Sequence, residues 1–316
     1  MMKVTAIVHK REWDITQIIQ KMTWSGALSQ CMRTLSISYK LRDDMPIRYF
    51  PSGTIIKFVI KFMNEKTLFE GRLFKPSKNL RSSGGTMVAY DDSVFMSKSS
   101  ISLKYRNASV NDIADEVCKR YGLTVIKNRK LVSRQSDIVF NKTGNAVISE
   151  ILQGEYEQTE KAFFTRTLGK NISILEEGEI MAKYPLSPSQ NLTDVVLSED
   201  ALAVVNAVEI VNSEGEVVDC ITDDESIAKL GGRLTKGLKY SPDWEQKSKA
   251  MLKPVKYSYN FKGLTDNADV SFIAGNKVKV ESVSGDEYFI IESDSHTFDG
   301  VKHSMDLKMK IVEEAS

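Results

Sequence analysis

Histidine is the commonest general base and metal ligand, and this chain of 316 residues has three. His9 stands beside Lys10. His296 and His303 flank Asp299-Gly300, a dipeptide that favours a type I′ hairpin turn, with Asp294, Asp299 and Asp306 close by. Such a turn pairs Phe298 with Val301 and, two steps out, sets His296 opposite His303. A cross-strand His pair beside a carboxylate could bind a metal, but no third ligand has the required spacing. A surface or interface pair is the plainer reading.

Other chemistry is equally thin. Ser295 beside His296 is not a nucleophile–base pair, because neighbours on a strand point to opposite faces. Ser226-Ile227-Ala228-Lys229 matches S-x-x-K without a K-T-G behind it, and reads as the first turn of a helix. Glu176-Glu177 and the group Glu155, Glu157 and Glu160 could supply the paired carboxylates of glycoside cleavage; both look like solvated faces or turns. Ser82-Ser83-Gly84-Gly85 lacks the Lys and the following helix of a phosphate loop, and no dinucleotide fingerprint occurs. Trp13, Trp24 and Trp244 could stack sugars or bases, although dispersed tryptophans usually serve a core or its rim. Cys31, Cys118 and Cys220 are scattered and odd in number, which suits neither a disulfide framework nor a zinc site; they read as reduced thiols of a protein made in a cytosol. The expectation is no catalytic residue, no cofactor and no metal, and the scarcity of candidates argues against an enzyme.

Apolar residues make up 41% of the chain and charged residues 27%, an ordinary globular balance. The length allows two or three domains. The densest apolar run, Ala201 to Val205, is far short of the ~20 residues that span a bilayer, so no membrane partner is expected. The start, Met1-Met2-Lys3-Val4, reaches His9-Lys10-Arg11 before any apolar core and reads as lacking a secretory leader. A net charge of +1 excludes a strongly basic coat for nucleic acid. That charge is unevenly placed: +8 over residues 1–98, +2 over 99–183 and −9 over 184–316. The basic residues alternate with apolar ones, as in Ile55-Ile56-Lys57-Phe58-Val59-Ile60-Lys61-Phe62. They read as the outer face of a sheet. The asymmetry suits front-to-back contact between copies, or a chance imbalance of solvated faces.

The first block is read as strands. Leu35, Ile37, Tyr39 and Leu41 alternate with Thr34, Ser36, Ser38 and Lys40, the period-two mark of a half-buried strand. Ile56 to Phe62, a turn at Asn64-Glu65-Lys66, Thr67 to Phe74 and Thr86 to Tyr90 continue toward a sandwich or small barrel. The middle block changes period. Ser109 with Asp112 forms a capping box, Val110, Ile113, Ala114, Val117, Cys118 and Tyr121 share one helical face, and Gly122 stops that helix. A second helix starts near Asn145, and Ile172 to Leu175 is a short strand. The third block returns to strands: a hairpin of Val204–Val211 with Val217–Ile221, then Val255–Phe261, Lys277–Val283 and Tyr288–Ser293. Asp223–Leu230 and a segment from Pro242-Asp243-Trp244 to Leu252 are helical. An internal echo links the ends. Phe50 to Phe58 matches Phe272 to Val280 as F-x-x-G-x-x-[IV]-K-[FV]; Leu68-Phe69 then corresponds to Tyr288-Phe289, and Met87 to Met305. It suggests two copies of one barrel flanking an α+β insert.

Several segments together resemble the XkdQ/YqbQ-type proteins of phage tails and phage-derived elements. They are Thr23-Trp24-Ser25-Gly26 followed by Arg33 to Ser38, Leu68 to Phe74, Ala89-Tyr90-Asp91, and Asp112 to Cys118 before Tyr121-Gly122-Leu123. At the far end they are Tyr288 to Phe298 and Met305-Asp306-Leu307. The similarity runs from about Trp24 to Ile311 and is weakest over Leu186 to Pro254. That family resembles the baseplate hubs of contractile tails, including the late control D group and the hub part of type VI secretion spikes. The resemblance implies a mainly β chain with an α+β insert. A first tube-like β-barrel would span 1–98, a small α+β domain 99–183, and a second tube-like barrel with short helical insertions 184–316. It implies a homotrimer whose six barrels form a pseudo-sixfold ring joining a tail tube protein to a central spike protein, among other baseplate proteins. The particle would be a phage or a tailocin, assembled from protein made in the bacterial cytoplasm. Such hubs are structural and bring no catalytic residues, and no sequence-specific nucleic acid is implied. The alternatives are a tail-associated cell-wall hydrolase or glycan-binding module, and a barrel for single-stranded nucleic acid.

Overall fold

A computed structural model describes residues 2–43, 45, 49–61, 65–242, 244–265, 270–282, 285–300 and 302–312. The chain is mainly β with an α+β insert. It divides into two compact units, residues 1–195 with 261–316, and residues 196–260.

The large unit opens with β1 (Met2–Val8), β2 (Arg11–Asp14), β3 (Ile19–Ala27), β4 (Gln30–Lys40), β5 (Ile55–Lys61), β6 (Glu65–Lys78) and β7 (Gly84–Asp91). Period two governs them. In β4 every second residue from Cys31 to Tyr39 is buried, with Thr34, Ser36 and Ser38 facing outward. The buried set of β1 and β3–β7 makes one core with Phe50, Val270 and Phe298. The turn expected at Asn64-Glu65-Lys66 begins outside the described residues, and Glu65 and Lys66 already belong to β6.

The insert follows as α1 (Val94–Lys98), β8 (Ser100–Ser109), α2 (Val110–Lys119), β9 (Thr124–Ile126), β10 (Arg134–Thr143), α3 (Gly144–Thr159), β11 (Phe163–Leu168) and β12 (Asn171–Glu176). The capping box forms: Ser109 accepts from Asp112 N–H at 3.2 Å. Gly122 takes φ +68° just beyond α2, a value that suits a residue without Cβ. The buried faces of α2 and α3 enclose a second core, which also takes in Cys31.

The remaining elements are β13 (Leu192–Asp200), β14 (Ala207–Val211), β15 (Val217–Thr222), α4 (Asp224–Leu230), β16 (Thr235–Lys239), α5 (Trp244–Met251), β17 (Lys256–Thr265), β18 (Lys277–Ser282), β19 (Gly285–Asp299) and β20 (Lys302–Ile311). The small unit holds the sheet β15-β14-β16 with α4 and α5. The expected strand at Val204–Val211 starts later, at Ala207, because Val205 bridges Lys253 instead.

One sheet joins the first and last strands of the chain, in the order β13-β17-β20-β19-β3-β4-β7-β6-β5-β1-β2, with β18 also on β19. Its path is open at β13 and β2, and no closed barrel forms among the described residues. Two halves of this path repeat: β3-β4-β7-β6-β5 and β13-β17-β20-β19-β18. Phe50 and Phe272 are both fully buried. Gly53 and Gly275 take φ +84° and +90°. Gly53 N–H donates to Leu73 O and Leu73 N–H to Thr54 O; Gly275 N–H donates to Ile291 O and Ile291 N–H to Asn276 O. A bulge follows at the same place, between Leu73 and Lys75 and between Ile291 and Ser293. The ladders therefore align Leu73 with Ile291, Gly71 with Phe289 and Met87 with Leu307. The sequence echo is right through β5 and β18 and then two residues out of step, because the connections into β6 and β19 differ in length.

Candidate functional site

The two repeats meet where β3 pairs with β19, from Ser293 opposite Ala27 to Phe298 opposite Met22. Period two again decides what lies inside. Arg33 is in phase with Leu35, Ile37 and Tyr39 on β4. Asp294 and His296 are in phase with Phe298 on β19. All three polar residues are therefore driven into the interior. Arg33 grips Asp294 with both Nη atoms, one at 3.0 Å. Its guanidinium lies 3.9 Å above the Trp24 ring, a cation–π contact. Ala274 N–H also donates to Asp294 at 2.7 Å. Gly26 makes room for the guanidinium, since a Cβ there would lie 2.4 Å from Arg33 Nη1.

Two neighbours extend this polar seam. Arg33 N–H donates to Asp91 at 2.8 Å, and Ser93 donates to the same carboxylate through N and Oγ. Burial nevertheless pushes the Asp91 carboxyl up to about 7, outweighing those hydrogen bonds. Arg166 of β11 donates to Ala274 O and Asn276 Oδ1, both at 2.8 Å. Burial first, and then Arg33, lower its guanidinium to about 10, which leaves it charged at neutral pH.

The histidines sit against this seam. Across the β19–β20 hairpin, Asp299 pairs with Lys302, Phe298 with His303, and His296 with Met305. The expected pairing of Phe298 with Val301, and of His296 with His303, is thus corrected: the hairpin bends one residue later, at Gly300, φ +59°. The rings still meet on the diagonal, with His296 Nδ1 2.9 Å from His303 Nε2. His296 Nε2 donates to Phe272 O at 2.8 Å. Both rings are buried, which replaces the surface pair expected from sequence. Asp294 is 3.7 Å from His296. Among the described residues, no three His, Cys, Asp or Glu side chains are grouped to hold a metal ion.

The other candidates fall apart in space. Ser295 lies on the outward face of β19, away from His296. Glu176 pairs with Lys130 at 3.0 Å, whereas Glu177 pairs with Lys310, so the two carboxylates do not converge. Glu155 is not a solvated decoration. It is fully buried and accepts from Val132 N–H and Ser133 N–H, both at 2.9 Å. Glu157 is exposed and bonds Gln153; Glu160 ends α3 with a left-handed backbone. In the small unit, Ser226 N–H is capped by Asp223, and Lys229 bonds Glu199 and Tyr257. His9 occupies a tight turn with φ +50°. Trp24 is core, and Trp13 packs at its margin.

A cleft of about 340 Å³ opens between α3, β11 and the β3–β4 turn, lined by Cys31, Asn145, Gln153, Phe163, Glu177 and Lys310 among others. Burial pushes the Cys31 thiol up to about 12, so it is no thiolate nucleophile at neutral pH. The signal that could have found the seam was in the sequence: Arg33, Asp294 and His296 stand at apolar phases of strands.

Residues 22–310 match the family model described as YQBQ-like, and the chain belongs to that family. Among solved structures, the prophage MuSo2 43 kDa tail protein from Shewanella oneidensis is 14% identical, with a TM-score of 0.69 over 98% of each chain. The tail protein from Neisseria meningitidis MC58 is 12% identical, with a TM-score of 0.70 over 99% of this chain and 97% of that one. The prophage tail protein gp18 from Listeria monocytogenes EGD-e is 11% identical, with a TM-score of 0.57 over 97% and 94%. At these identities the likeness is one of fold. No curated protein sequence matches the chain.

Proposed function

We propose that this YQBQ-like chain is a structural subunit of a phage tail baseplate, a hub in which three copies form a ring of six related modules. The ring would join the tail tube to the central spike of a contractile phage tail or a phage-tail-like bacteriocin. The observation that carries the reading is the duplicated path β3-β4-β7-β6-β5 and β13-β17-β20-β19-β18. Two like modules per chain let three chains present six similar units, which is what a sixfold tube facing a threefold spike requires. Residues 1–98 and 184–316 would supply the two modules, with 99–183 between them. The family and the tail-protein fold support the same role, and so does the placement of the sequence's carboxylates in separate ion pairs rather than a cleft. The opposed charges of the first and last blocks, +8 and −9, favour alternation of modules around the ring.

Native mass spectrometry and light scattering of the purified chain test this. A trimer is expected, with a hollow ring in electron micrographs and with weaker assembly in high salt, since screening reduces the charge contribution. A chain that stays monomeric at every soluble concentration, with or without a spike protein, overturns the ring. A trimer indifferent to salt removes only the electrostatic part.

A further inference from the structure

The internal repeat says which edges remain free. Within the chain, β3 of the first repeat pairs with Ser293–Phe298 of β19 in the second. The counterpart of β3 is β13, an end strand of the sheet with β17 on one side only. The counterpart of Ser293–Phe298 is Lys75 through Leu80, counted from the shared bulge. Lys75–Lys78 of β6 pair with β7, and among the described ladders nothing pairs with their other edge. The burial pattern marks both as unfinished. Asp294, His296 and Phe298 are 3%, 0% and 3% exposed at the internal junction, whereas Lys78 is exposed and Leu80 is 93% exposed. Met22 and Trp24 of β3 are buried, yet Thr193, Asp194 and Val195 of β13 all face solvent.

We propose that the Thr193–Val195 part of β13 in one copy adds to the Lys75–Lys78 edge of β6 in the next copy, repeating between chains the β3–β19 junction found within each. A free strand edge offers unpaired N–H and C=O groups to such an addition. The charges fit: Lys75 and Lys78 would face Asp194, whose own-chain partner Lys262 is 4.0 Å away and exposed. Val195, 46% exposed, and Leu80 would bury apolar surface together. Pro76 has no N–H to give, so the contact relies on its neighbours, and a proline suits a strand edge. The contact is head-to-tail. Each step repeats the rotation of the internal one, so successive copies curve toward closure. The inference rests on the ring reading above and names its strands.

The test uses the full chain. Lys75→Glu with Lys78→Glu should weaken association about ten-fold, and so should Asp194→Lys, by placing like charges at the contact. Combining all three should restore it. Independently, Ser77→Cys chains mixed with Thr193→Cys chains should be joined by a short bismaleimide linker, and neither variant by itself should be. If the wild type assembles but the reversals change nothing and no cross-link forms, this contact is wrong while the ring stands. If the wild type never assembles, the ring and this contact fall together. Circular dichroism of each variant shows whether the fold is kept.

Discussion

Arg33→Ala is the perturbation that asks most of the seam. Arg33 and Asp294 are 6% and 3% exposed. Removing the guanidinium leaves the buried Asp294 carboxylate with Ala274 N–H as its remaining short donor, and His296 3.7 Å away. Breaking a buried pair from one side costs about 3–5 kcal/mol, chiefly through the charge left behind. Larger domains lose roughly 2 °C of Tm per kcal/mol, so a fall of about 6–10 °C is expected in calorimetry. Gly26 supplies the control. In the wild type, Gly26→Ala drives a Cβ to within 2.4 Å of Arg33 Nη1 and 2.7 Å of Cζ, and the guanidinium cannot retreat without leaving Asp294 and Trp24. Gly26→Ala should therefore destabilise alone and be nearly silent once Arg33 is Ala. A double-mutant cycle by urea unfolding should give a coupling of at least ~1 kcal/mol. Additive losses, or an Arg33→Ala loss below about 1 kcal/mol, would refute the view that this pair is the lock between the repeats.

Three further outcomes follow from named groups. Asp91 keeps its proton in the folded chain up to about pH 7, whereas the unfolded chain releases it near 3.8. Its contribution is thus greatest below about pH 4 and declines as pH rises to about 7, by at most ~4 kcal/mol; Asp91→Asn should flatten that part of a stability–pH profile measured by urea unfolding. Gly53 and Gly275 hold equivalent positions with similar φ, but a Cβ at 53 meets open space and one at 275 falls 2.0 Å from the Phe164 ring. Gly53→Ala should cost roughly 1–2 kcal/mol from backbone strain alone, and Gly275→Ala clearly more; equal Tm losses would contradict the packing argument. Thiol labelling should reach the half-exposed Cys220 first, while the buried Cys31 and Cys118, both pushed up to about 12, react only on unfolding.

Hydrophobic period fixed the elements. The alternation around Leu35 to Tyr39, the helical face from Val110 to Cys118 and the capping box at Ser109 are local signals, and each element formed as its period required. The repeat was legible for the same reason: Phe50, Gly53 and the Ile56–Phe58 pattern recur at Phe272, Gly275 and Val278–Val280, because a left-handed turn and a two-residue period are written into neighbouring residues. Beyond that, correspondence slipped by two, since the length of a connection does not reveal the pairing across it. What tertiary structure alone decided was partnership over long separations. Arg33 meets Asp294 because β3 and β19 are adjacent, and Glu155 lies buried because the 132–133 backbone needs an acceptor. A charged residue at an apolar phase announces that something must neutralise it; only the packed sheet says what.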